Sequence, residues 1–190
     1  MRIPELKGFS LVGGTALALK FGHRLSVDID LFCSEKFDIG QLGDLLAGHF
    51  GKDYVFEKTH STIGLFCYIR QVKVDLVYYP HPIIGIPEIM DDIRLYPLED
   101  ISAMKINAIL GRAAQKDFFD LAEILKATKL SQIMEWHRQK YPNQFLAISI
   151  PSAITYFTEA EESQTPVSLN GQTWPRVKKY LQACVREYLS

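Results

Sequence analysis

Apolar and polar residues change their spacing several times along this 190-residue chain. Residues 9–12, Phe-Ser-Leu-Val, are a short apolar run that stops at Gly13-Gly14, and Thr15 opens a segment, 15–21, that reads as a short helix. A strand, a glycine turn and a helix are expected. Residues 26–32 then alternate, with Val27, Ile29 and Leu31 on one side and Ser26, Asp28, Asp30 and Phe32 on the other, which predicts a strand carrying two carboxylates on one face. Leu42, Leu45, Leu46 and Phe50 recur at helical spacing and predict a crossover helix over 39–50. Residues 54–58, 63–70 and 72–79 read as strands, the last with Val72, Val74, Leu76 and Tyr78 on one face and Lys73, Asp75 and Val77 on the other.

Beyond the proline-punctuated stretch 80–87 the period becomes helical. Helices are expected over 99–111, 117–127 and 131–140, followed by apolar 145–157, a polar loop near 159–166 and a terminal amphipathic helix over about 174–189. The expected class is α/β (α+β), a mixed sheet with flanking helices. The expected division is an α/β core over 1–98 and a helical C-terminal region over 99–190 packed on it.

Composition narrows the chemistry. With 47% hydrophobic residues the chain can bury one substantial core, and its apolar runs break well short of the roughly 20 residues a membrane span needs. A cytoplasmic protein without membrane contact is expected. Cys33, Cys67 and Cys184 are far apart and lack the spacing of a disulfide framework or zinc site, so they read as small buried hydrophobes. The net charge of −1 conceals a split: residues 1–100 hold 10 basic and 14 acidic side chains, residues 101–190 hold 11 and 8. That suits an acidic metal-binding half and a half that faces a polyanion.

The candidate chemistry begins with Asp28-x-Asp30. Aspartate is disfavoured in strands, and like charges on one pleated face repel unless a cation or donor compensates them. Carboxylates are the natural ligands of magnesium, whose remaining positions go to water and phosphate. The plainer alternative is a strand end that caps a loop or pairs with Arg24. Gly13-Gly14-Thr15 sits where bare amides and a helix N-terminus can receive phosphate. Asp75, in a second apolar strand, would complete a three-carboxylate metal site, or it simply pairs with Lys73 or Arg70. Arg24 and Ser26 precede the aspartates and are candidate phosphate contacts, with a surface ion pair as the alternative for Arg24. Farther on, Lys105 and Arg112 lie seven apart on one helical stripe and form a candidate phosphate clamp, while Asp117 either caps the next helix or orients Lys105. A solvated charged face is the competing reading of that stripe.

Gly13-Gly14-Thr15-Ala16-Leu17-Ala18, followed by His23-Arg24-x-Ser26-x-Asp28-x-Asp30-Leu31-Phe32, resembles the first motif of the abortive-infection toxin family AbiEii/AbiGii. Val74-Asp75 is similar to its second motif, and Lys105-x-x-Ala108-x-x-x-Arg112-x-x-x-Lys116-Asp117-x-x-Asp120 to its later ones. The family belongs to the DNA polymerase beta-like nucleotidyltransferases, and Gly14-Thr15 stands where that superfamily commonly has Gly-Ser. The resemblance implies a nucleotidyltransferase fold and transfer of a nucleoside monophosphate from a nucleoside triphosphate to an acceptor hydroxyl, on RNA such as tRNA or on protein. It further implies dependence on magnesium or manganese, and toxin activity restrained by an antitoxin. Carried across, Asp28, Asp30 and Asp75 are metal ligands, Gly13, Gly14 and Thr15 the phosphate loop, and Lys105 with Asp117 the downstream functional pair.

Other chemistries find little support. His49, His60, His81 and His137 show no ligand spacing and read as surface or helix-end residues, and Gly13-Gly14 lacks both the P-loop lysine and a dinucleotide fingerprint. Two rivals stand: a sugar-nucleotide transferase using DxD, and a degenerate nucleotide-fold module that binds without turnover. On the last helix, Arg176, Lys178, Lys179 and Arg186 beside Trp174 and Tyr180 are a candidate RNA contact, or the solvated face of a helix packed through Val177, Leu181 and Val185.

Overall fold

The computed structural model describes residues 1–57 and 62–190, so the end of the strand expected over 54–58, and His60, lie outside the described residues. The chain forms two compact units. The first comprises Met1–Ala16, Ser26–Pro82 and Ile86–Tyr96; the second comprises Leu17–Leu25, Ile83–Gly85 and Pro97–Ser190, and so draws two short segments from the part expected to be core.

The first unit is built on a mixed seven-stranded sheet in the order β3-β4-β5-β2-β1-β7-β6. Its strands are β1 (Ser10–Leu11), β2 (Ile29–Cys33), β3 (Tyr54–Phe56), β4 (Gly64–Ile69), β5 (Val72–Tyr78), β6 (Glu88–Met90) and β7 (Ile93–Leu95). Helix α1 (Gly13–Phe21) begins here, and α2 (Ile39–Phe50) lies against β3 and β4. The α2 boundaries coincide with the expected ones because Asp38 caps its start, the side chain accepting from the Gln41 amide, and Gly51 at φ 55 ends it. Alternation on β5 buries Val74 and Leu76 and leaves Lys73, Asp75 and Val77 on the other, partly exposed face.

Three expectations change in this unit. Strand β2 starts at Ile29 rather than residue 26, which puts Asp28 one residue before the ladder and exposes it. Residues 88–95 form a hairpin that the alternation did not reveal, because its strands are three residues long and its turn is Asp91-Asp92. Both turn residues take positive φ, 48 and 63, the backbone of a two-residue hairpin turn without the usual glycine. Strand β1 is shorter than 9–12, its register ending where Gly13 starts the helix.

The second unit is mostly helical: α3 (Leu98–Gly111), α4 (Gln115–Ile124), α5 (Leu130–Lys140), α6 (Ile150–Ala153), α7 (Thr158–Glu161) and α8 (Trp174–Leu189). Its core gathers Ile106, Ile109, Phe118, Phe119, Leu121, Ile124, Ile133, Ile154 and Leu181, each large side chain contributing about 1.5–3 kcal/mol by leaving water. Trp174 closes one end, stacked on Phe119 at 6.3 Å and edge-on to Phe157 at 5.5 Å, with its indole N–H donating to Glu161. Val177, Leu181 and Val185 are buried as the packing reading of α8 requires, and Lys178 pairs with Glu161 at 2.6 Å. The apolar stretch 145–157 yields only the four residues of α6, and Phe145 is 93% exposed. The unit is not all helix: Arg24 and Ser168 form an isolated antiparallel bridge. Among the described residues no helix is long and apolar enough to cross a membrane.

Candidate active site

The sheet order decides which carboxylates meet. Strands β2 and β5 are parallel neighbours, and their register sets Asp30 directly beside Asp75. Directly opposed residues of adjacent strands stand about 5 Å apart at Cβ, so two carboxylates on one face repel. Among the described residues Lys73 answers that repulsion at Asp75: two residues back on the same face of β5, it donates to Oδ2 at 2.6 Å. The Lys73 ammonium is held above the ordinary lysine value first by that hydrogen bond, against the opposing effect of burial, and then by the charges of Asp75, Asp30 and Glu57. The other oxygen, Asp75 Oδ1, is buried with no partner among the described residues. Arg70, the alternative partner, pairs with Asp53 instead.

The glycine turn lies against the same carboxylates. Gly13 has φ +71, and a Cβ built on it would stand 2.9 Å from Asp30 Oδ2. Glycine is therefore required twice over, for its left-handed backbone and for the approach of Asp30. Thr15 ties the next layer, its hydroxyl 2.9 Å from Ser26 Oγ and donating to the Asp28 carbonyl. The first-turn amides of α1 have no intrahelical acceptors, which makes this a natural place for phosphate. Gly13→Ala is expected to lose about 1–2 kcal/mol to the left-handed backbone and no more, because the flexible end of Asp30 can yield to the new methyl group. Transfer activity should nonetheless fall about tenfold or more, since the displaced atom is a site carboxylate oxygen. Melting curves read beside a transfer assay check both halves.

A divalent cation fits this donor set. Magnesium usually takes one or two carboxylates and fills its other positions with water and phosphate, and Asp75 Oδ1 is a buried oxygen awaiting a partner beside Asp30. Among the described residues no three His, Cys, Asp or Glu side chains converge as a ready-made cage.

In the second unit the later motif forms a buried ionic cluster. Asp120 accepts from Arg24 Nε at 2.6 Å and Nη2 at 2.8 Å, lies 2.7 Å from His23 Nε2, and pairs with Lys105 Nζ at 2.7 Å. Asp117 receives Lys105 at 2.9 Å and both Nε and Nη2 of Arg112. Burial pushes both carboxyls up, but Lys105 foremost, with Arg24 and His23 around Asp120 and Arg112 around Asp117, outweighs it and holds both below their ordinary value. Burial likewise lowers Lys105, and the Asp120 and Asp117 charges more than offset it, leaving the ammonium raised.

This cluster redistributes the expected roles. The side chains of Arg24 and Lys105 are 5% and 6% exposed, so neither presents its charge to solvent as a phosphate contact would, because Asp120 holds both inside. Asp117 does not cap α4, whose N-cap is Ala114; it orients Lys105 and Arg112. Arg112, 57% exposed, is the member that reaches solvent. Because Asp117 and Asp120 titrate lower in the folded protein than in the unfolded chain, their contribution is complete above the unfolded value of 3.8 and is lost as pH falls below it. Lys105 adds stability that is complete below 10.5 and lost only as pH rises through its higher folded value. Melting temperatures should hold steady from about pH 7 to 5 and fall steeply below about 4. Calorimetry across that range checks this.

The arrangement can be placed among known proteins. The family described as nucleotidyl transferase AbiEii toxin of a type IV toxin–antitoxin system matches residues 2–163. The chain belongs to this family. It is accordingly a nucleotidyltransferase by class, as its AbiEii/AbiGii-like motifs imply. An uncharacterized protein of Aquifex aeolicus is 27% identical over 95% of this chain and 88% of its own length. Among solved structures, the nucleotidyltransferase toxin MenT4 of Mycobacterium tuberculosis shares the fold with a TM-score of 0.58 at 14% identity, over 94% of this chain and 75% of that one. JHP933 of Helicobacter pylori does so with a TM-score of 0.51 at 16% identity, over 95% and 84%.

Some structural residues of this AbiEii-family chain escaped the sequence. Asp120 appeared there only as a motif letter, although its spacing of three from Asp117 puts both on one face of α4. Asp100 is fully buried, accepting from Lys140 at 2.6 Å and from the Ile84 and Gly85 amides, a pairing 40 residues apart with no local signal. Burial draws the Lys140 ammonium below its ordinary value despite Asp100. His137 lies in the last turn of α5, the helix-end place expected for it, and is buried there. Cys33 and Cys67 are buried and Cys184 half-buried.

Proposed function

We propose that the protein transfers a nucleoside monophosphate from a nucleoside triphosphate to an acceptor hydroxyl, with a divalent cation held by Asp30 and Asp75, and with Asp28 entering the ligand set through the motif resemblance alone. The observation that carries this is the parallel register that sets Asp30 beside Asp75 with Gly13 against the Asp30 carboxylate. The cation, magnesium or manganese, supplies neutralisation of charge on the triphosphate oxygens. Gly13, Gly14 and Thr15 offer amides and a hydroxyl to phosphate, and Ser26, held by Thr15, lines the same turn. The acceptor oxygen bonds to the α-phosphorus, the bond from that phosphorus to the bridging oxygen of the β-phosphate breaks, and pyrophosphate leaves with the electron pair. Asp75 takes up the acceptor proton, directly or through water, before it passes to solvent.

By the motif resemblance Arg112 is the second unit's candidate phosphate contact, and Asp117, held in turn by Lys105, positions its guanidinium. The acceptor class we favour is RNA such as tRNA, with protein as the alternative, and an antitoxin is the expected partner of a toxin of this family. The deciding experiment offers four α-labelled triphosphates with magnesium to total RNA, total protein or buffer. Label entering one fraction from one donor supports the proposal and names both substrates. Binding of a triphosphate that never releases pyrophosphate with any fraction would favour a module without turnover.

A further inference from the structure

We propose that Lys73 is the internal counter-ion of the carboxylate site: its ammonium occupies Asp75 in the cation-free protein and leaves that oxygen when a divalent cation binds. The inference rests on Asp30 and Asp75 being the cation ligands. It starts from the sheet, where β5 places Lys73 and Asp75 two residues apart on one face and β2 brings Asp30 alongside. On the other flank, β4 sets Phe66 opposite Asp75 and Tyr68 opposite Lys73, so that strand adds no charge to the pair. A carboxylate set beside another in this register gains from a positive charge, and the 2.6 Å contact from Lys73 Nζ supplies one to Asp75 Oδ2 where a cation would supply two.

The two partners differ in freedom. The Asp75 side chain is 14% exposed and fixed in the sheet, whereas Lys73 is 37% exposed on a four-carbon stem with a route to water. A cation that enters at Oδ1, partnerless among the described residues, meets the Lys73 ammonium on the other oxygen of the same carboxylate, and the repulsion between the two positive charges displaces the mobile side chain without rearranging the fold. The displaced ammonium then has reason to pair with an incoming phosphate. Cation binding and triphosphate binding are in this way coupled through one side chain, since a triphosphate gives Lys73 a new partner and removes the competition at Asp75.

The test is manganese binding to the full chain without nucleotide, followed by the electron paramagnetic resonance signal of free Mn2+, with melting temperatures taken with and without the ion. Wild type, Lys73→Met, Lys73→Gln, Lys73→Arg and Asp75→Asn are compared. Lys73→Met and Lys73→Gln should bind Mn2+ about tenfold more tightly than wild type, and Lys73→Arg should stay near wild type. The two neutral variants should melt lower than wild type without the ion and recover most of the difference with it, because Asp75 is otherwise left without its charged partner. Asp75→Asn should abolish binding. If both neutral variants bind Mn2+ no more tightly than wild type while Asp75→Asn loses it, the counter-ion role is overturned and the cation site stands. If wild type binds no Mn2+, or Asp75→Asn binds it unchanged, the cation assignment and the counter-ion role fall together.

Discussion

Alanine at Asp120 is expected to cost the protein about 3–5 kcal/mol and to lower its melting temperature by roughly 10 °C or more. Asp120 is fully buried and is the shared acceptor of Arg24, Lys105 and His23, two of them permanent cations with side chains 5% and 6% exposed. Removing the carboxylate leaves those cations in a poor solvent with only Asp117 to compensate Lys105, and the penalty is that of stranded charge rather than of one lost contact. Asp120→Asn retains an acceptor oxygen but removes the same negative charge, so it should lose most of that amount. Against a typical stability of about 5–15 kcal/mol, the alanine variant sits near the edge of folding. Calorimetry decides: a melting temperature within about 2 °C of wild type would mean that Asp120 does not organise this cluster.

The second large effect separates activity from stability. Asp30→Asn should reduce transfer roughly a thousandfold or more, since it removes a ligand charge where the reacting phosphate is to be neutralised. The same change removes one of two like charges that the β2–β5 register sets side by side, so its effect on melting should be small beside its effect on transfer. Asp75→Asn should lose transfer to a similar degree but forfeit its ion pair with Lys73, and so melt slightly lower. Label transfer and melting measured on the same preparations distinguish these outcomes. An active Asp30→Asn enzyme would remove the basis for the site.

How far the sequence reveals this molecule depends on the range of the contact that makes each part. Period-two alternation exposed the strand faces that carry Asp30 and Asp75, because a carboxylate flanked by Val74 and Leu76 has few explanations. The caps of α2 and the apolar stripe of α8 exposed those helices with their ends. The β6–β7 hairpin stayed hidden because three-residue strands carry almost no periodic signal and Asp91-Asp92 is not the usual turn pair. The pairing of Asp30 with Asp75 arises from parallel strands 45 residues apart in the chain, so the composition of either strand could not announce it. The roles of Lys105 and Arg24 are not legible in the sequence for one reason: a basic side chain in a motif looks the same whether it faces a phosphate or a buried aspartate. Only the position of Asp120 tells them apart.

The most direct test of the central claim is a crystal structure grown with manganese and a non-hydrolysable nucleoside triphosphate, with data collected at the manganese edge. Anomalous density is expected in contact with the carboxylates of Asp30 and Asp75 and with triphosphate oxygens, the phosphates lying over the Gly13-Gly14-Thr15 turn. Triphosphate bound elsewhere, or manganese that touches neither aspartate, would contradict it.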